Sequence, residues 1–103
     1  MPAMPTEDPR LDLSIDADGA LVLHGEIDSY TAPELAERLG GDPPVEVLDV
    51  AGVTFIDSSG LRVIVEAHQA RTSSGSRLLL RSPSAAVQRL LEISGLAGHL
   101  DVA

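Results

Sequence analysis

The sequence has 103 residues, with seven basic side chains, all Arg, against sixteen acidic ones and a formal charge of −9. At 44% hydrophobic and 22% charged it reads as one compact globular domain, and its lack of Cys removes disulfides, thiolate metal sites and Cys nucleophiles together. So acidic a surface, with one Phe, one Tyr and no Trp, repels phosphate backbones and anionic lipid and offers bases no stacking platform, which argues against nucleic acid and membrane and for a basic protein surface.

Residues 1–10, Met1-Pro-Ala-Met-Pro-Thr-Glu-Asp-Pro-Arg10, have neither a basic n-region nor an apolar h-region, so they read as a flexible leader rather than a signal peptide. The longest apolar runs fall well short of a membrane span, and the expectation is a cytoplasmic domain over 11–103. Leu11, Leu13 and Ile15 alternate with Asp12 and Ser14 at the period of a half-buried strand. Asp16-Ala-Asp-Gly19 is a turn, and Ala20 to Gly25 completes a hairpin. Thr31-Ala-Pro-Glu34 fits a capping box ahead of Ala32, Leu35, Ala36 and Leu39, with Gly40-Gly41 as the stop.

Pro43-Pro44 forces an extended entry into an apolar strand, Val45 to Val50. After Ala51-Gly52 come Val53 to Ile56, the Asp57-Ser-Ser-Gly60 segment, and a helix to about Thr72. On that helix Leu61, Ile64, Val65 and His68 share the inner face, and Arg62, Glu66, Gln69 and Ser73 the outer one. Arg77 to Arg81 is a short strand; Ser82 before Pro83 is read as the next N-cap, and Gly95 with Leu96 as a Schellman ending. His99 to Val102 is read as a last strand. The order β-β-α-β-α-β-α-β predicts an α/β fold: a hairpin leading into a mostly parallel mixed sheet of about five strands with helices packed on it.

Val53-Thr-Phe-Ile-Asp-Ser-Ser-Gly-Leu61 carries the most chemical information, because it sets two hydroxyls at the mouth of a helix. Unpartnered amides there favour an anion on Ser58 or Ser59. Asp57 or Ser58 serves as the N-cap, and capping accounts for one hydroxyl only. A nucleophile elbow lacks its G-x-S-x-G frame, and His24, His68 and His99 are scattered, with His68 on the apolar stripe as a hydrogen-bonded core residue and the other two at the surface. Neither a metal-ligand cluster nor a phosphate loop is present in the pattern, so no cofactor is expected. Gly25-Glu-Ile-Asp28 adds two carboxylates just before the first helix, read as a solvated acidic loop.

Gly25-Glu-Ile-Asp28, Thr31-Ala-Pro33, Leu48-Asp-Val50, Val53 to Leu61, and Ser82-Pro-Ser84 through Ser94-Gly-Leu96 occur in this order, and together they resemble a STAS domain of the bacterial anti-sigma-factor antagonist type over about residues 11 to 102. The resemblance implies that Ser58 is phosphorylated. It implies partner switching: the unmodified protein binds an anti-sigma factor that is itself a serine kinase, so freeing a sigma factor, and phosphorylation of Ser58 ends the contact. A metal-dependent serine phosphatase resets it, and the protein catalyses nothing itself. The docking face is placed around Asp28, Ser29, Thr31, Asp57, Ser59, Gly60, Arg62 and Glu66, with Ser59 read as a capping residue and Arg62 equally as a solvated charge. The family usually adds a helix after the last strand, whereas this sequence ends at Ala103. The alternatives are a small STAS subunit of a lipid-transport ABC complex, another STAS signalling scaffold, and a Ser58 hydrolase that lacks a His partner.

Overall fold

A computed structural model describes residues 10–41 and 44–102. Strands β1 (Leu11–Ile15) and β2 (Leu21–Ile27) are followed by α1 (Ala32–Leu39), β3 (Val47–Ile56), α2 (Ser58–Ser73), β4 (Leu79–Arg81), α3 (Ala85–Ser94), a 3-10 turn (Ala97–His99) and β5 (Asp101–Val102). The leader lies outside the described residues except for Arg10, as does Pro43 of the expected Pro43-Pro44 entry. The strands form one sheet in the order β1-β2-β3-β4-β5, the first pair antiparallel and the rest parallel, as the pattern predicts.

The sheet is one-sided. Leu13 pairs with Leu23, and Leu21, Leu48 and Leu80 stand side by side across three strands; all are buried in one cluster with Leu35, Leu39, Leu61, Ile64, Val87 and Leu91 from the helices. On the opposite face Ser14, Val22, Asp49 and Arg81 form the matching polar row, and Asp12, His24 and Ala51 are exposed. Arg81 donates from Nε to Asp49 (2.9 Å) and from Nη2 to Asp16 (2.8 Å), tying the hairpin turn to the middle of the sheet. The Arg81 hydrogen bond and the Ala20 amide hold the Asp16 carboxyl below its ordinary range. Solvent screens these pairs and leaves each of them weak, whereas each buried leucine contributes about 1.5–3 kcal/mol. The leucine rows therefore carry the fold, and the ion pairs fix alignment.

Several boundaries differ from the sequence reading. The two runs around Ala51-Gly52 are one strand, because β3 takes an extra residue opposite β2 twice, between the pairs Val22–Asp49 and His24–Gly52 and again between Gly25–Val53 and Glu26–Phe55. Gly52 belongs inside the strand because the His24 ring occupies the space that a Cβ would need. Ser82 is no N-cap: it turns to φ 55° at the end of β4, and Ser84 caps α3 by accepting from the Val87 amide (3.3 Å). Gly95 ends α3 left-handed with a single bond from its amide to Leu91 O (3.1 Å), the simpler αL form rather than the Schellman form.

Arg71 gave no signal in the sequence, yet it is 8% exposed and holds three segments together. Its guanidinium donates to Leu39 O at the end of α1 and, through Nε, to Val45 O (3.2 Å) before β3. Its place in the last turn of α2 also matches its charge to the negative end of that helix. Arg71→Met should lower the unfolding free energy by about 2–3 kcal/mol, since two carbonyls lose their donor inside the protein. Urea titration measures this, and a loss below about 0.5 kcal/mol would contradict the role.

Candidate functional site

The two acidic loops of the sequence meet in space. Parallel pairing sets Ile27 beside Ile56 at the ends of β2 and β3, and the Asp57 amide then donates to Ile27 O at 3.1 Å. The first turn of α2 lies directly on Ile27. A Cβ at Gly60 would come within 2.5 Å of Ile27 Cγ2 and 3.1 Å of its carbonyl, so glycine is needed for the close approach rather than for a turn.

Asp57, extended at φ −112°, is the N-cap of α2: its Oδ1 accepts from the amides of Ser59 (2.9 Å) and Gly60 (3.2 Å). Ser58 is thereby released from capping. It is exposed on the first residue of the helix, and its hydroxyl bonds to no described residue. Ser59 does not cap either; its amide is what Asp57 captures, and its side chain is half-buried.

The expected capping box at Thr31 and Glu34 does not form. Thr31 stands at the N-cap position without a side-chain cap bond; its hydroxyl turns back to donate to Glu26 O (2.9 Å) and accept from the Asp28 amide (2.9 Å). Asp28 does the local capping, its Oδ1 accepting from Tyr30 N (2.9 Å) and Thr31 N (3.0 Å), while Arg10 holds Oδ2 at 2.9 Å. Arg10 also lies over the Tyr30 ring, 5.6 Å from its centroid. Asp28 thereby takes the Thr31 amide that the Glu34 carboxylate of a capping box would accept from, and the Glu34 amide donates to Thr31 O (3.1 Å) instead of to the hydroxyl. Gly25, at φ 115°, begins this loop on a bulge where the next amide, Glu26 N, donates to Arg10 O (2.9 Å).

The expected docking residues thus divide. Asp28, Ser29, Asp57, Ser58 and Ser59 converge at the ends of β2 and β3, and Arg62 and Glu66 continue along the exposed side of α2. Thr31 and Gly60 are a correction: both are buried, and they shape the loop and the helix start instead of offering surface. The sequence reading missed Tyr30 (79% exposed), Phe55 (48%) and Ile93 (75%). Phe55 and Ile93 flank a groove of about 410 Å³ between the end of β3 and α3, with Ala86, Arg89 and Leu90 in its wall. Phe55 sits in an apolar run that reads as core, and Tyr30 stands between residues noticed for their polarity, so neither carried a separate signal.

The histidines lie elsewhere. His68 Nε2 is 3.0 Å from Asp101 Oδ2, joining α2 to β5, and this bond together with Arg77 draws the Asp101 carboxyl below its ordinary range; His24 and His99 are exposed. No helix among the described residues is long and apolar enough to cross a membrane.

Partial desolvation alone would raise the Asp28 carboxyl, but the Thr31 and Tyr30 amides, the Arg10 charge and the Thr31 hydroxyl outweigh it and hold it below its ordinary value of 3.8. A depressed carboxyl stabilises the fold fully above its unfolded value, and that contribution is lost as pH falls through the folded one. Wild type should therefore exceed Asp28→Asn in urea midpoint by a constant margin above about pH 5 and lose that margin progressively below about pH 4. A margin independent of pH would contradict this account. Asp16 and Asp101 titrate in both proteins and cancel in the difference.

The family model described as "Mlab, STAS domain" matches residues 11–102. The anti-sigma-B factor antagonist of Listeria monocytogenes serovar 1/2a is 37% identical over 82 residues, covering 76% of this chain and 72% of that protein. That of Bacillus subtilis strain 168 is 36% identical over 84 residues, covering 76% and 74% respectively. A crystal structure of an anti-sigma factor antagonist from Mycobacterium paratuberculosis shares the fold at a TM-score of 0.73 and 26% identity, covering 93% of this chain and 88% of that one. With this sheet order, and with matches running through both loops of the site, the chain belongs to the STAS-domain family of anti-sigma-factor antagonists.

Proposed function

We propose that this chain, a regulatory binding protein and no enzyme, engages an anti-sigma factor through the face around Ser58 and is switched off when that residue is phosphorylated. The observation that carries the reading is the division of labour at α2: Asp57 takes the cap, and the Ser58 hydroxyl stays exposed and unengaged. The anti-sigma factor would act as the kinase. The γ-phosphoryl group of ATP passes to Ser58 Oγ, ADP leaves, and the hydroxyl proton is lost to solvent or a base on the kinase. A serine phosphatase returns the protein to its binding form.

Phosphate adds about −1.5 to −2 charges and three acceptor oxygens. The amides of Ser59 and Gly60 are already bonded to Asp57, so they do not neutralise the new group. The Asp57 carboxylate stands beside it, with Glu26 and Asp28 on the neighbouring loop. A docked partner would have to desolvate a dianion in an acidic setting. Disrupted charged contacts in interfaces cost about 3–5 kcal/mol, which weakens binding several hundredfold or more. The fold is spared, because the Ser58 side chain is exposed and bonds to no described residue.

A second reading, a STAS subunit of a lipid-transport ABC complex, draws on the Mlab description of the matching family model. Phosphate mapping separates the two. Incubation with ATP and each anti-sigma serine kinase of the same genome should place one phosphate on Ser58, seen by mass spectrometry; no phosphate there with any of them favours transport. Ser58→Ala should keep wild-type affinity for the kinase, and Ser58→Asp should bind at least about 100-fold more weakly. Equal affinities would overturn the charge mechanism.

A further inference from the structure

We propose that Tyr30 is the principal apolar anchor of the docking face, seating its ring in an apolar pocket with a basic rim on the anti-sigma factor; this rests on the antagonist reading above. A single exposed apolar side chain is ordinary on a protein surface and by itself indicates nothing. Tyr30 differs in how it is held. Its backbone amide is bonded to Asp28 Oδ1 (2.9 Å), the next amide is bonded to the same oxygen (3.0 Å), and the other oxygen of that carboxylate is bonded to Arg10 (2.9 Å). Arg10 then returns over the Tyr30 ring, with its guanidinium carbon 5.6 Å from the centroid. One carboxylate and one guanidinium thus fix both the backbone and one face of a ring that is 79% exposed.

Restraint of this kind has no use in the core, which the ring does not enter. It does lower the entropy lost when a side chain is immobilised in a complex. Tyrosine is also among the residue types that dominate interface energetics, because it presents a large rigid surface on few rotatable bonds. This is the only Tyr in a sequence without Trp. Its loop is locked to the base of α2 through Ile27 and Asp57, so the ring and the Ser58 hydroxyl belong to one rigid surface. Among the described residues of this face, the carboxylates of Glu26, Asp28, Asp57 and Glu66 outnumber the guanidinium groups of Arg10 and Arg62, which gives the face a net negative charge and calls for a basic rim on the partner.

The test is calorimetric titration of the full chain into the purified anti-sigma serine kinase of the same genome, with ADP bound. Tyr30→Ala should weaken binding at least about 30-fold, the signature of an anchor residue, and Tyr30→Phe should stay within about threefold of wild type. Thermal unfolding of both variants should match wild type, since the ring is outside the core. Tyr30→Ala bound within threefold of wild type, while Ser58→Asp binds far more weakly, would overturn the anchor and leave the antagonist reading intact. A wild-type chain that binds none of the kinases would remove the antagonist reading itself, and the anchor with it.

Discussion

The contact between the end of β2 and the start of α2 governs the arrangement of the site. The Ile27 carbonyl accepts the Asp57 amide, and Gly60 lies so close to Ile27 that no side chain fits between them. Loops that are about thirty residues apart in sequence become one surface through this single approach. Parallel pairing of β2 with β3 brings the two strand ends level, and the extra residues that β3 accommodates set where Asp57 arrives. Had the register slipped by one residue, every side chain of β3 would have exchanged faces, and the helix would begin elsewhere.

A one-sided sheet makes that precision affordable. The buried leucines of the strands face the helices, so their rows specify register, with the Arg81 ion pairs on the polar face in the same alignment. That leaves the strand ends free to carry groups selected for other reasons. Arg71 shows the complementary demand on the far side of α2. Its buried guanidinium donates to carbonyls at the end of α1 and at the entry to β3, tying the end of α2 to both. The start of α2 is thus defined by a glycine contact and its end by a cation.

The fold was largely legible because periodicity reports burial directly. The Asp16 turn forms where one local rule places it, and the stripes of β1 and α2 hold at Leu11, Leu13, Leu61 and Ile64, while Ile15 is exposed and Val65 and His68 are only half-buried. Competition between rules was not legible. Thr31 and Glu34 satisfy a capping-box pattern, yet the nearby Asp28 takes the loop amides first, and Thr31 turns its hydroxyl to the end of β2. Ser82-Pro83 satisfies a helix-start pattern, yet the chain must first turn away from β4, and Ser84 makes the cap. Among the site residues, exposure was read correctly for Ser58, Arg62 and Glu66 and incorrectly for Thr31 and Gly60. Those two are defined by how closely β2 and α2 approach, a tertiary distance that no local pattern encodes. Arg71 and Tyr30 escaped notice for the same reason: each acquires its role from partners brought close only by folding.

These features explain how one surface can be altered without disturbing the domain beneath it. Of the residues that secure the site, Thr31, Gly60 and Ile27 are buried, and Asp57 is bonded to the backbone of α2 through its Oδ1. The Ser58 hydroxyl, by contrast, faces solvent and bonds to no described residue. Under the proposed function, a phosphate on Ser58 changes the charge and hydration of the surface and leaves untouched every bond that holds the loops together. If Ser58 itself supplied the cap, its modification would exchange a capping hydroxyl for a charged group and perturb α2 directly. Because Asp57 caps instead, the effect on binding and the effect on stability rest on different atoms.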